Sequence, residues 1–161
     1  MSTITQKITP FLWFDTQAEE AVNFYTSIFK NSKVGNMSRY TGEGAKASGQ
    51  PEGTVMTMAF TLDGQNFTAI NGGPVFKFTE AISLVVNCED QEEVDHFWNK
   101  LTEGGQEVQC GWLKDKFGLS WQVVPRQLGE LMSGPKAGKV MGAMLKMKKI
   151  VIKDLEEAAN Q

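Results

Sequence analysis

A single histidine, His96, stands in 161 residues. That count excludes zinc sites built on two or three histidines of one chain, and the HExxH metalloprotease motif with them. Beside the apolar stripe residues Val94, Phe97 and Trp98, His96 reads as an ordinary helix-surface residue. The two cysteines, Cys88 and Cys110, lie too far apart for a CxxC motif and read as reduced, partly buried thiols. Cys110 would need an activating group to act as a nucleophile, and no histidine is near it in sequence. Asp115, before the turn Lys116-Phe117-Gly118, could be a general base or simply tie that turn. Glu80 could serve as a lone acid. Neither Gly42-Glu43-Gly44 nor Asn71-Gly72-Gly73-Pro74 joins an apolar strand to a helix. The glycine-rich turn of a Rossmann-type methyltransferase is therefore missing, and S-adenosylmethionine-dependent methylation is not expected.

The elements that must hold these residues read as two similar halves. Ile8 to Phe14 is an apolar run of β-formers, pushed by Pro10 toward a sheet edge or ladder end. Thr16 and Glu19 form a capping box before a helix whose apolar face is Ala18, Ala21, Val22, Tyr25, Ile28 and Phe29. Ser38 to Gly53 reads as a long mobile loop. Thr54 to Leu62 and Gln65 to Ile70 read as strands joined by Asp63-Gly64, a type I′ hairpin signal. The second half repeats the order. Ala81 to Cys88 is a strand, and Asp90 with Glu93 starts a helix that carries Val94, Phe97, Trp98 and Leu101. Gly104-Gly105 ends that helix. Three short strands, Glu107 to Cys110, Trp112 to Asp115 and Leu119 to Val124, follow. The pairs Phe24-Tyr25 and Phe97-Trp98 hold equivalent helix positions, which marks an internal duplication. The tail adds short helices around Leu128 to Met132, after Gly134-Pro135, and over Asp154 to Asn160.

Hydrophobic residues at 41%, charged residues at 22% and a net charge of -3 describe an ordinary globular chain. About two-thirds of the unfolded surface can be buried at this size, so no disulfide or metal staple is needed. The mild acidity argues against a nucleic-acid partner. No apolar stretch is long enough to span a membrane, and the N-terminus lacks a signal-peptide pattern, so a cytoplasmic protein is expected.

Several stretches carry a family resemblance. They are Ile8-Thr9-Pro10-Phe11-Leu12-Trp13-Phe14, Ala18-Glu19-Glu20-Ala21 leading to Phe24-Tyr25, and Phe60-Thr61-Leu62-Asp63-Gly64-Gln65. Ala69-Ile70-Asn71-Gly72-Gly73, Cys110-Gly111-Trp112-Leu113-Lys114-Asp115 and Phe117-Gly118-Leu119-Ser120-Trp121-Gln122-Val123-Val124-Pro125 add to them. With these the chain resembles the vicinal-oxygen-chelate superfamily, which holds glyoxalase I, bleomycin-resistance proteins and extradiol dioxygenases. Within it the chain is similar to the PhnB-like group, labelled a 3-demethylubiquinone-9 3-methyltransferase domain. The resemblance implies an α+β fold of paired βαβββ modules with C-terminal helices. It implies one domain over 1–161: module one at 7–74, module two at 76–126, and a helical tail at 127–161.

Metal-dependent members of this superfamily hold one divalent ion with His and Glu from four strands. Carried over, those positions fall at about Pro10, at Ala69 or Asn71, at Ala81 give or take one residue with Glu80 beside it, and at Gln122. Proline and alanine cannot ligate through their side chains, and amides are weak ligands for a dication. No metal and no cofactor are therefore expected. By strand alternation from Pro10 and Gln122, a cleft between the modules is expected to be lined by Leu12, Phe14, Asn71, Ser83 and Gln122, and the resemblance to bleomycin-resistance proteins, which use aromatics for planar ligands, adds Trp112 and Trp121 as its aromatic wall. Ser120 and Val124 share the side of Gln122. Such a cleft suits a small, planar, largely apolar ligand. The resemblance also implies a homodimer. The alternative is a metal-dependent lyase, isomerase or dioxygenase with atypical ligands. A third reading has the lysine-rich tail, Lys136 to Lys153, docking an acidic partner instead of packing on the domain.

Overall fold

The computed structural model describes residues 3–161, which fall into two units divided between Lys77 and Phe78. In the first, β1 (Phe11–Phe14) leads to α1 (Ala18–Ile28), β2 (Lys33–Arg39), α2 (Gly42–Ser48), β3 (Val55–Leu62) and β4 (Gln65–Asn71). The four strands form one sheet in the order β1-β4-β3-β2, with β1 parallel to β4 and the other pairs antiparallel. The strand–helix–three-strand order is the expected one. Asp63 and Gly64 take φ of 47° and 79°, the geometry a type I′ hairpin requires.

One face of this sheet packs under α1. Pairing puts Leu12 beside Ala69, Phe14 beside Asn71, and Phe60 beside Phe67. All six are buried, with Ala21, Val22 and Tyr25 of α1 closing over them. Tyr25 stacks on Phe60 at 6.3 Å between centroids, and Phe60 on Phe67 at 5.2 Å. Burying each such aromatic contributes roughly 2 kcal/mol. The expected capping box is replaced. Gln17, with no capping side chain, precedes α1, and the Asn71 carboxamide accepts the Ala18 N–H at 2.8 Å.

The expected long loop, Ser38 to Gly53, holds the end of β2 and the whole of α2. β2 is an edge strand with no buried residue, and α2 is a short helix with none either, so neither carries a periodic apolar signal. The loop is drawn shut at its base. The Tyr40 N–H donates to Thr54 at 2.9 Å, and the Gly53 N–H donates to Tyr40 at 2.7 Å. The Tyr40 hydroxyl donates to the Asn71 carbonyl at 2.5 Å.

The second unit repeats the pattern with β5 (Leu84–Cys88), α3 (Gln91–Thr102), β6 (Gln106–Glu107), β7 (Trp112–Lys114) and β8 (Ser120–Pro125), in sheet order β5-β8-β7-β6. Asp90 caps α3 as expected, accepting the Glu93 N–H at 2.9 Å. The Glu93 carboxylate in return accepts the Glu89 N–H at 2.9 Å. Val86, Cys88, Leu113, Trp121 and Val123 are buried together with Val94, Trp98 and Leu101 of α3.

The tail forms α4 (Gln127–Ser133), α5 (Ala137–Met144) and α6 (Ile152–Ala159), packed around Val140, Ile150 and Leu155. Gln91 pins it to α3, donating to the Ile150 carbonyl at 3.0 Å and accepting the Ile152 N–H at 2.8 Å. Lys149 pairs with Asp95 at 2.9 Å. The tail therefore packs as part of the second unit. Among the described residues, no helix is long and apolar enough to cross a membrane.

Candidate functional site

The strand pleat decides which residues each sheet can offer. In the second unit, Trp112 pairs with Gln122, Val85 with Gln122, and Lys114 with Ser120. These residues share the face turned away from α3. Val85 is 49% exposed, and Trp112 and Gln122 are half-buried. Gln122 Nε2 donates to Ser83 Oγ at 2.9 Å, joining β8 to the residue before β5. Three of the expected site residues, Ser83, Trp112 and Gln122, are thus brought together. Lys114 joins them and forms an ion pair with Glu80. The Lys114 hydrogen bond, Glu80's own backbone N–H and the Lys114 charge hold the Glu80 carboxyl below its ordinary range. Sequence reasoning missed Lys114, although two-residue spacing from Trp112 would have found it.

Four expected site residues are placed otherwise. Leu12, Phe14 and Asn71 face α1. The Asn71 amide is engaged at both its oxygen and its nitrogen, accepting from Ala18 and donating from Nδ2 to the Val55 carbonyl at 3.1 Å. Trp121 faces α3, with Nε1 donating to Asp115 Oδ2 at 2.9 Å. The opposite face of the first sheet carries Trp13, Thr57, Thr68 and Ile70 instead. Trp13 Nε1 donates to the Gly73 carbonyl at 2.9 Å. Its ring lies so close over Gly72 that a Cβ there would sit 2.3 Å from it. Phe76 meets Trp13 edge-on at 4.9 Å.

Asp115 has the turn-tying role. Its Oδ1 accepts the N–H groups of Phe117 and Leu119 at 2.9 and 3.1 Å. Cys88 is 1% exposed, and burial, with Glu93 and Asp90 adding to it, pushes its thiol up to about 12. Cys110 sits in a turn with φ 60°, its N–H donating to the Met147 carbonyl of the tail. His96 lies exposed on α3 against Phe97, ring centroids 5.0 Å apart.

The carried-over metal positions can be tested on these side chains. Asn71 is committed to α1 and β3, and Gln122 binds Ser83. Ala81 is exposed outside any strand, and Pro10 precedes β1. Neither imidazole nor carboxylate stands at any of the four positions, and this donor set does not fit a divalent cation. Among the described residues no group of three or more His, Cys, Asp or Glu is placed to hold a metal ion.

Two modules, each a strand, a helix and three further strands in a four-stranded sheet, followed by C-terminal helices, define an α+β fold of repeated modules. Residues 6–124 match the family described as 3-demethylubiquinone-9 3-methyltransferase, and the chain belongs to that family. Among solved structures it is similar to a Bacillus cereus PhnB protein that carries the same description. The two are 43% identical, with a TM-score of 0.66, over 74% of this chain and 99% of that one. A protein from Pseudomonas aeruginosa shares the fold at 20% identity and a TM-score of 0.60, over 75% of this chain and 98% of that one. The fosfomycin resistance protein FosX of Listeria monocytogenes does so at 15% identity and a TM-score of 0.56, over 82% of this chain and all of that one. No curated protein matches the chain.

Proposed function

We propose that this PhnB-like protein binds a small, planar, largely apolar molecule on the face of the second sheet that carries Trp112, Gln122 and Ser83. It does so without a metal and as a homodimer. The observation that carries this reading is the Gln122–Ser83 hydrogen bond of 2.9 Å set beside Trp112 and Val85. Apolar Trp112 and Val85 beside a few convergent polar groups are the composition of a small-molecule site. Methyl transfer is not part of the reading, because the turn from β1 to α1 is Asp15-Thr16-Gln17 and has no glycine to admit a cofactor phosphate or carboxylate.

Calorimetric titration with naphthamide, a neutral planar probe, tests this. Trp112→Ala and Gln122→Ala should each weaken binding. Equal affinity in both variants would reject this face as the site. Light scattering should give twice the chain mass. Stoichiometric zinc, manganese, iron or nickel in the purified protein would overturn the metal-free part.

A further inference from the structure

Ser120 opens β8 on the same face as Gln122 and is 1% exposed, yet its hydroxyl has no hydrogen-bond partner among the described residues. Buried hydroxyls are rarely left so. Its surroundings follow from the sheet order. β8 lies between β5 and β7. Lys114 stands directly across from Ser120 on β7, and Ser83 precedes Leu84, the β5 partner of Trp121. Glu80, three residues before Ser83, nevertheless reaches Lys114. The ion pair thus joins the segment before β5 to β7, at the end of the sheet where β8 begins with Ser120. Glu80 is exposed and Lys114 half-buried, their side chains 60% and 35% accessible. An unpartnered buried hydroxyl therefore lies on the residue directly across from Lys114, whose ion pair is weak enough to open.

We propose that the Glu80–Lys114 pair is a removable strap, and that the ligand of this face carries a carboxylate that replaces Glu80 on Lys114 and accepts the Ser120 hydroxyl. The inference rests on the reading of this face as the binding site and names the ligand's polar group. Lys114 and Ser120 both supply donors, so the group that satisfies them is an acceptor with several lone pairs. A carboxylate is the group Lys114 already accommodates, in Glu80. Glu80 already carries such a carboxylate on Lys114, so it is a true competitor for that place.

The test compares naphthoate with naphthamide, which differ in charge and hardly in shape, by calorimetry on the full chain. Naphthoate should bind the wild type more tightly. Glu80→Gln should tighten naphthoate about two- to fivefold, the range set by competition with an exposed ion pair, and leave naphthamide unchanged. Lys114→Met and Ser120→Ala should weaken naphthoate alone. The proposal falls if acid and amide bind alike, or if Glu80→Gln leaves naphthoate unchanged. If Trp112→Ala still weakens both probes in that case, the binding face survives and only the carboxylate assignment is lost. If neither probe binds the wild type or Glu80→Gln, both readings fall. Glu80 is exposed and outside any strand or helix, so its variant folds whatever becomes of Ser120→Ala.

Discussion

Asn71, the last residue of β4, holds the first N–H of α1 by accepting from Ala18 at 2.8 Å. The same carboxamide donates to the Val55 carbonyl, so one side chain closes a helix start and a strand start at once. Asn71→Ala leaves both groups buried without partners. A loss of about 2–4 kcal/mol is expected in urea denaturation, the sum of a missing cap and an unsatisfied acceptor.

Asp115 should behave likewise in the second unit. Its carboxylate receives two turn N–H groups and the Trp121 indole. Asp115→Ala is expected to cost about 3 kcal/mol and to shift tryptophan emission to the red as Trp121 loses its fixed, buried setting.

What the sequence could and could not disclose follows from the range of the interactions. Asp63-Gly64 and Asp90 with Glu93 act within four residues, and their turn and cap formed as read. Asn71 reaches 53 residues back to Ala18, and no local pattern marks such a cap. The faces of β1 were unreadable for another reason. Phe11-Leu12-Trp13-Phe14 is apolar at every position, so alternation cannot tell which pair meets the helix. The second sheet was clearer, because polar Ser83, Lys114, Ser120 and Gln122 alternate with buried Leu113, Trp121 and Val123. Trp121 was misplaced because its aromatic type outweighed its parity with Leu113.

The joint between α3 and the tail should loosen in acid. Hydrogen bonds from Gln91 and Lys149 hold Asp95 below its ordinary value of 3.8, while partial burial opposes them. The unfolded chain therefore takes up this proton first. The stabilisation is complete above that ordinary value and is lost as pH falls through the lower folded one. Amide exchange at Ile150 and Ile152 should accelerate as the pH falls below that ordinary value, and Asp95→Asn should remove much of that dependence.

Cys88 should resist alkylation in the folded protein even at mildly alkaline pH, since its thiol, pushed up to about 12, stays protonated and buried. Mass spectrometry after iodoacetamide should show Cys110 modified and Cys88 unmodified until denaturant is added. Early labelling of Cys88 would contradict its placement under α3.

Gly72→Ala should displace Trp13, because the new methyl would stand 2.3 Å from the indole. Near-ultraviolet circular dichroism should lose the Trp13 contribution, and stability should fall by about 1–3 kcal/mol, the usual cost of overpacking.

The neck formed by Tyr40, Gly53 and Thr54 has a practical consequence. Everything between Thr41 and Glu52 hangs outside a closed pair of hydrogen bonds, and its helix buries no residue. Lengthening such a loop costs only slowly growing closure entropy. A peptide tag, a fluorescent label or a whole reporter domain can therefore be spliced in after Gly49, where the chain already turns left-handed at φ 72°, with the sheet that anchors α1 undisturbed.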